Sequence, residues 1–234
     1  MSAREWMFDE VSFAGMDFTD LNVVQGYDER HSKFRDYKKE TDERFDALKL
    51  GADSEIIDFG CGTGAFTLNA AGRCKKIYAI DISGMMLEYT KQKAAKANLN
   101  NIEFIKAGML TYEHKAPAVD AVISSMVLHH LPDFWKQIAL KKICDMLKPG
   151  GKFFLFDVVF SFGYHDYEKS FSEWVDAFEA SNGKDFTAPI LGHLSREYST
   201  FSWILEGILE RAGFAIDSAV HEKGMLAKYV CIKK

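Results

Sequence analysis

A short apolar run ends in a carboxylate and then meets three glycines at alternate positions: Ile56-Ile57-Asp58-Phe59-Gly60-Cys61-Gly62-Thr63-Gly64. After them, Ala65 to Ala71 reads as the first turns of a helix. Strand, tight turn and helix start in that order belong to an α/β unit with a parallel sheet. Glycine accepts positive φ and lets a ligand lie against bare backbone. The helix start that follows offers unpaired N–H groups to an anionic group. A small ligand with an anionic part is expected over this turn.

Gly60, Gly62 and Ala65 also satisfy the dinucleotide pattern G-x-G-x-x-G/A. Asp58 opposes that ligand, because its carboxylate lies where a pyrophosphate would have to approach. S-adenosylmethionine suits the turn better. It brings an ammonium and a sulfonium for Asp58 and one carboxylate for the helix start. Asp58-Phe59-Gly60-Cys61-Gly62-Thr63-Gly64 resembles motif I of the class I methyltransferases, (D/E)-x-G-x-G-x-G, at every fixed position. Cys61 fills a variable slot of that motif and reads as a spacer.

Lys76 to Ile80 reads as a second buried strand ending in Asp81. In a doubly wound sheet that carboxylate comes beside the first strand, within reach of both ribose hydroxyls of a nucleoside. The resemblance implies adenine-side packing for Ile82 and Met86, on a helix opening at Ser83. In the family an acidic residue often stands at the position of Gly108 and accepts from the adenine amino group. Here the side chain is missing, which leaves backbone groups of Gly108 and Met109 for the adenine edge.

Val119 to Ser125 is the fourth strand, followed by His129-His130-Leu131. This run is similar to the small-molecule subgroup, which resembles the UbiE/MenG-like methyltransferases. The resemblance implies that backbone near Ser124 and Ser125 holds the methionine amino group. It also brings an N-terminal Tyr-Asp element that matches Tyr27-Asp28, where the aromatic covers the cofactor. His129 and His130 follow the carboxyl end of a strand, where open α/β sheets bind ligands, and are the candidate catalytic pair. His31, Tyr164, His165 and His193 are weaker candidates. No ligand spacing among the histidines points to a metal.

The remaining elements continue the alternation. A helix is read over 32–49, with Phe34, Tyr37, Phe45 and Leu48 on one face and Gly51 as its cap. Further helices are read over 83–96, 134–147 and 199–212. Strands are read over 101–106, 152–159, 214–220 and 226–232, and Lys148-Pro149-Gly150-Gly151 marks a helix stop. The resulting expectation is a three-layer, doubly wound α/β domain. Its seven-stranded sheet is mostly parallel, with the last strand antiparallel. Residues 1–45 form a helical cap carrying Trp6, Phe8, Phe13 and Phe18, while 46–160 and 197–234 form the core. Residues 161–196, rich in aromatics such as Tyr167, Phe171, Trp174 and Phe186, form a helical lid for substrate.

The 234 residues suit one such domain. Their 47% apolar and 27% charged content is that of a globular protein, and the formal charge of −5 gives no general attraction to nucleic acid. No apolar run reaches the ~18 residues of a membrane span. Four scattered cysteines read as reduced thiols in a cytoplasmic protein. The expected activity is methyl transfer from S-adenosylmethionine to a small molecule, leaving S-adenosylhomocysteine, by a monomer or homodimer. A non-catalytic binder of the same cofactor and a nicotinamide oxidoreductase stay open beside it.

Overall fold

The computed structural model describes residues 6–11, 24, 26, 35–183 and 187–234. Tyr27, His31, Phe13, Phe18, Phe34 and Phe186 therefore lie outside the described residues. Helix α1 (Tyr37–Leu48) begins where the Asp36 carboxylate accepts from Lys39 N at 3.0 Å, answering a donor that a helix start leaves free. Lys49, not Gly51, closes it in the left-handed conformation at φ 56°.

The alternation then runs β1 (Glu55–Phe59), α2 (Thr67–Ala71), β2 (Lys76–Asp81), α3 (Gly84–Lys96), β3 (Ile102–Lys106) and β4 (Val119–Ser125). It continues through α4 (Asp133–Met146), β5 (Leu147–Phe160), α5 (Tyr167–Asn182), α6 (Thr187–Ser195), β6 (Thr200–Phe201), α7 (Ser202–Ala212), β7 (Phe214–Glu222) and β8 (Leu226–Lys233). The sheet order is β3-β2-β1-β4-β5-β8-β7. The pairings within β1 to β5 are parallel, and β8 is antiparallel to both its neighbours. That is the expected doubly wound sheet with its last strand reversed.

Three further details differ from the sequence reading. An eighth strand, β6, pairs with the end of β5 through Val159 and Phe160. Its two residues sit inside the amphipathic stretch read as helix, and ring contact between Phe160 and Phe201 holds them extended. Strand β5 begins at Leu147 and takes in the Pro149-Gly150-Gly151 turn, with a register shift against β4. Helix α2 has only five residues and starts at Thr67.

Alternation along the strands sends side chains to opposite faces. Ile57, Phe59, Val122 and Leu155 join α4 and α7 in one core cluster. Ile56, Ile77, Ile123 and Phe154 join α1 and α2 in another on the opposite face. Burial on both faces explains why β1, β2 and β4 read as apolar runs rather than as alternating ones. Among the described residues no helix is long and apolar enough to cross a membrane.

Candidate functional site

The register of the sheet builds the site. Phe59 pairs with Ile80 on one side and with Ser124 on the other, so β1, β2 and β4 end together. From β1 the chain winds outward to β2 and β3, then crosses to β4 on the other flank. This reversal leaves a crevice at the carboxyl ends of the strands, where open α/β sheets take ligands.

The glycine turn forms one wall of the crevice. Gly60 N and Cys61 N both donate to Ile80 O, at 2.8 and 3.0 Å. Gly62 N donates to Asp81 Oδ2 at 2.8 Å, and Thr90 Oγ1 donates to Gly62 O at 2.7 Å. Gly60 has φ +67°, and a Cβ there would lie 2.2 Å from Val127 Cγ2. Gly62 has φ +52°, but its Cβ would meet no described atom closer than Gly60 O at 4.0 Å. Gly60 is thus required by packing, whereas Gly62 keeps the cleft wall bare. Gly64 does not line the cleft; Thr90 and Leu68 crowd it from behind.

Asp58 and Asp81 reach the cleft from the ends of β1 and β2. Asp58 is buried and accepts from Thr67 Oγ1 at 2.6 Å. Burial pushes its carboxyl up to about 6, against the pull of the Thr67 hydroxyl and the Arg44 guanidinium. Asp81 accepts from Gly62 N and, through Oδ1, from Ser83 N at 2.8 Å. Burial raises it too, opposed by these backbone donors. Each oxygen keeps a lone pair for a further donor.

Cys61, Ile82, Met86, Gly108, Met109, Ser125 and His130 also line the cleft. Burial drives the Cys61 thiol upward, which suits a spacer and not a nucleophile. Ser124 is fully buried and does not face the cleft. Ser125 does, and its hydroxyl is buried without a hydrogen bond among the described residues.

His129 stands behind the cleft, with 2% of its surface exposed. It occupies the 3₁₀ turn Leu128–His130, and Asp157 on β5 holds that turn. The Asp157 carboxylate accepts from Leu128 N at 2.8 Å, His129 N at 3.3 Å and His129 Nδ1. Burial works most strongly against a charged His129, but the charge and hydrogen bond of Asp157 together with the Glu197 charge outweigh it and raise its pKa. His130 is lowered to about 4, by burial and by His129 beside it. The two histidines that the sequence pairs as catalytic stay side by side, with ring centroids 4.2 Å apart, but one is packed inward and only the other lines the cleft.

Glu10, Arg44, Arg35 and Met126 are among the cleft residues that the sequence reading did not assign to the site. Glu10 reaches in from the N-terminal segment, where Leu110 N donates to its carboxylate at 3.1 Å. A Cβ on Gly108 would fall 2.3 Å from Glu10 Oε2, so this carboxyl fills the space that a side chain at 108 would occupy. Arg44, on the inward face of α1, is 5% exposed and lies over the Phe66 and Phe154 rings. Its Nε has no hydrogen bond among the described residues. Arg35 joins it on that wall. Met126 has φ 59° immediately after β4, an uncommon conformation for a residue with a side chain.

Residues 56–151 match the methyltransferase domain family. The chain carries a class I methyltransferase domain. An uncharacterized methyltransferase of Geobacillus kaustophilus is 29% identical over 196 residues, 84% of each chain. Demethylmenaquinone methyltransferase of Bacillus mycoides is 28% identical over 196 residues, 80% of this chain and 72% of the relative. The magnesium protoporphyrin IX methyltransferase of Synechocystis, solved with bound S-adenosylmethionine, superposes with a TM-score of 0.66 at 15% identity. That match covers 99% of this chain and all of the other. Motif I of the methyltransferase domain is the glycine turn described above, and its cleft opens at the switch point of the sheet.

Proposed function

We propose that the chain transfers the methyl group of S-adenosylmethionine to a small-molecule acceptor and releases S-adenosylhomocysteine. One observation carries this reading: a single cleft sets separate polar groups where each part of that cofactor needs them. Asp58 and Arg44 lie close enough for the guanidinium to act on the carboxyl, a pair suited to the ammonium and carboxylate of a zwitterion. The orphaned Ser125 hydroxyl faces the same cleft. Asp81 has lone pairs for two ribose hydroxyls. Glu10 supplies over Gly108 the carboxylate that residue 108 lacks. The helix start that the sequence reading assigned to the carboxylate belongs to the five-residue α2, and Arg44 replaces it in this reading.

When bound, the cofactor supplies an electrophilic methyl on sulfur, taken in line by the acceptor. The chain supplies alignment and a dry wall. Met126, Leu131 and His130 form the wall nearest β4, and Met126 also packs on the cluster of Phe160, Phe162, Phe171, Trp174 and Phe201. That cluster, built largely on β5 and α5, favours an apolar or aromatic acceptor and is the basis for reading α5 and α6 as a lid. His130 is uncharged near neutral pH and orients an acceptor hydroxyl or amine by hydrogen bonding. The acidic balance of the chain and its four free, buried cysteines support a cytoplasmic setting away from nucleic acid.

Calorimetric titration with S-adenosylmethionine, S-adenosylhomocysteine, NAD and NADP tests the reading. Micromolar binding of the first two alone is expected, followed by transfer of labelled methyl to a member of a phenol, amine and thiol panel. Binding of a dinucleotide instead would overturn it in favour of an oxidoreductase. Tight cofactor binding with no transfer to any acceptor would leave a binding protein.

A further inference from the structure

We propose that His129, His130 and Glu197 form a binding site for one divalent transition-metal ion of the zinc class. The three donors lie within 4.8 Å of one another. The His129 Nε2 atom lies 3.2 Å from Glu197 Oε2, and His130 Nδ1 lies 3.9 Å from Glu197 Oε1. Ligand atoms about 2.1 Å from a tetrahedral zinc stand ~3.4 Å apart. Only small movements of the three donors would bring them onto one ion.

The hydrogen bonds around the cluster select the same atoms. Asp157 accepts from His129 Nδ1, which leaves Nε2 as the ring atom open to a metal ion in place of a proton. That nitrogen is buried and carries no hydrogen bond among the described residues, and the same is true of His130 Nδ1. Two buried imidazole nitrogens without a hydrogen bond among the described residues thus face one carboxylate, and buried polar atoms left without a hydrogen bond are unfavourable. A cation between them satisfies all three.

The surroundings have the form that metal sites need. A carboxylate on the far nitrogen of a ligating histidine fixes its tautomer and orientation, and Asp157 does this for His129. Glu197 is held in turn by His193 Nδ1. Tyr198 N donates to His129 O at 2.8 Å, which ties the Glu197 segment to the 3₁₀ turn. Two imidazoles and one carboxylate leave coordination positions open. Of the three ligands His130 alone lines the cleft, so an open position on its side faces the cavity. The binding of the ion itself does not depend on methyl transfer.

The test uses the full chain after dialysis against a chelator. Titration with Zn²⁺ by calorimetry and with Co²⁺ by visible absorption should each give one equivalent. The cobalt spectrum should show the intense d–d bands of four or five ligands. Glu197→Gln and His130→Ala should each weaken binding by at least ~10-fold, with far-ultraviolet circular dichroism unchanged. His221→Ala, remote from the cluster, should bind as wild type. Failure to bind one equivalent would overturn the site, as would unchanged affinity in both ligand variants. If Glu197→Gln does not fold, His130→Ala decides alone.

Discussion

At the scale of single residues, Asp58 shows how a functional carboxylate works against the fold that carries it. Its carboxyl stands at 3.8 when free and about 6 when folded and ligand-free, because burial penalises the charge. The folded chain therefore holds more protons between these values, and stability falls as pH rises through that window. Above pH 6 the charged group sits buried with only the Thr67 hydroxyl and a nearby guanidinium in its favour. Two pK units correspond to ~3 kcal/mol at most. Asp58→Asn keeps an acceptor for Thr67 and removes the charge. It should raise the ligand-free unfolding free energy by ~1–3 kcal/mol at pH 7–8, with the gain vanishing below pH 4. Chemical denaturation across pH measures this, and a destabilised variant at pH 8 would refute it. The same variant should bind S-adenosylmethionine at least ~10-fold more weakly, since a charged hydrogen-bond partner of its ammonium is lost. Asp58 and Asp81 were legible in the sequence because each ends an apolar run next to a turn. His129 was legible only as a position, since its pairing with Asp157 is a contact between a 3₁₀ turn and a strand distant in sequence.

At the scale of elements, strand and helix existence followed from periodicity, whereas boundaries followed from contacts. Strand β6 and the early start of β5 are set by pairing across the sheet, for which such short stretches carry no pattern. Motif I makes the distinction sharper. Its glycines look alike in the sequence but do different work in the turn. Gly60→Ala must accept φ +67° and a Cβ 2.2 Å from a β-branched side chain, for about 2–4 kcal/mol of lost stability. Gly62→Ala meets only the conformational cost, ~1–2 kcal/mol, but its methyl enters the cleft. Urea unfolding should therefore rank Gly60→Ala as the less stable, while calorimetry should show the larger loss of cofactor binding in Gly62→Ala. Equal effects of the two on stability would mean that Val127 yields freely.

At the scale of the whole molecule, the cleft draws on parts of the chain that sequence reading treated as its cover. Glu10 and Gly108 are far apart in sequence, and no local pattern links them. Arg44 was hidden for another reason: a charged residue on an amphipathic helix is expected to face solvent, yet this one turns inward onto two aromatic rings. The link between Glu10 and Gly108 can be tested by moving the carboxylate. Glu10→Ala should weaken S-adenosylhomocysteine binding by ~1–3 kcal/mol, the value of a hydrogen bond to a charged group. Gly108→Asp alone should destabilise the chain, because its side chain would enter the space filled by the Glu10 carboxyl and set two like charges together. The double variant removes that conflict and places a carboxylate in the same space from β3's own loop. It should recover both stability and affinity, giving a favourable coupling in the double-mutant cycle. Additive losses would show that Glu10 acts only by docking the N-terminal segment, through its bonds to Leu110 and Thr111, and that adenine is held by the backbone at Gly108 and Met109.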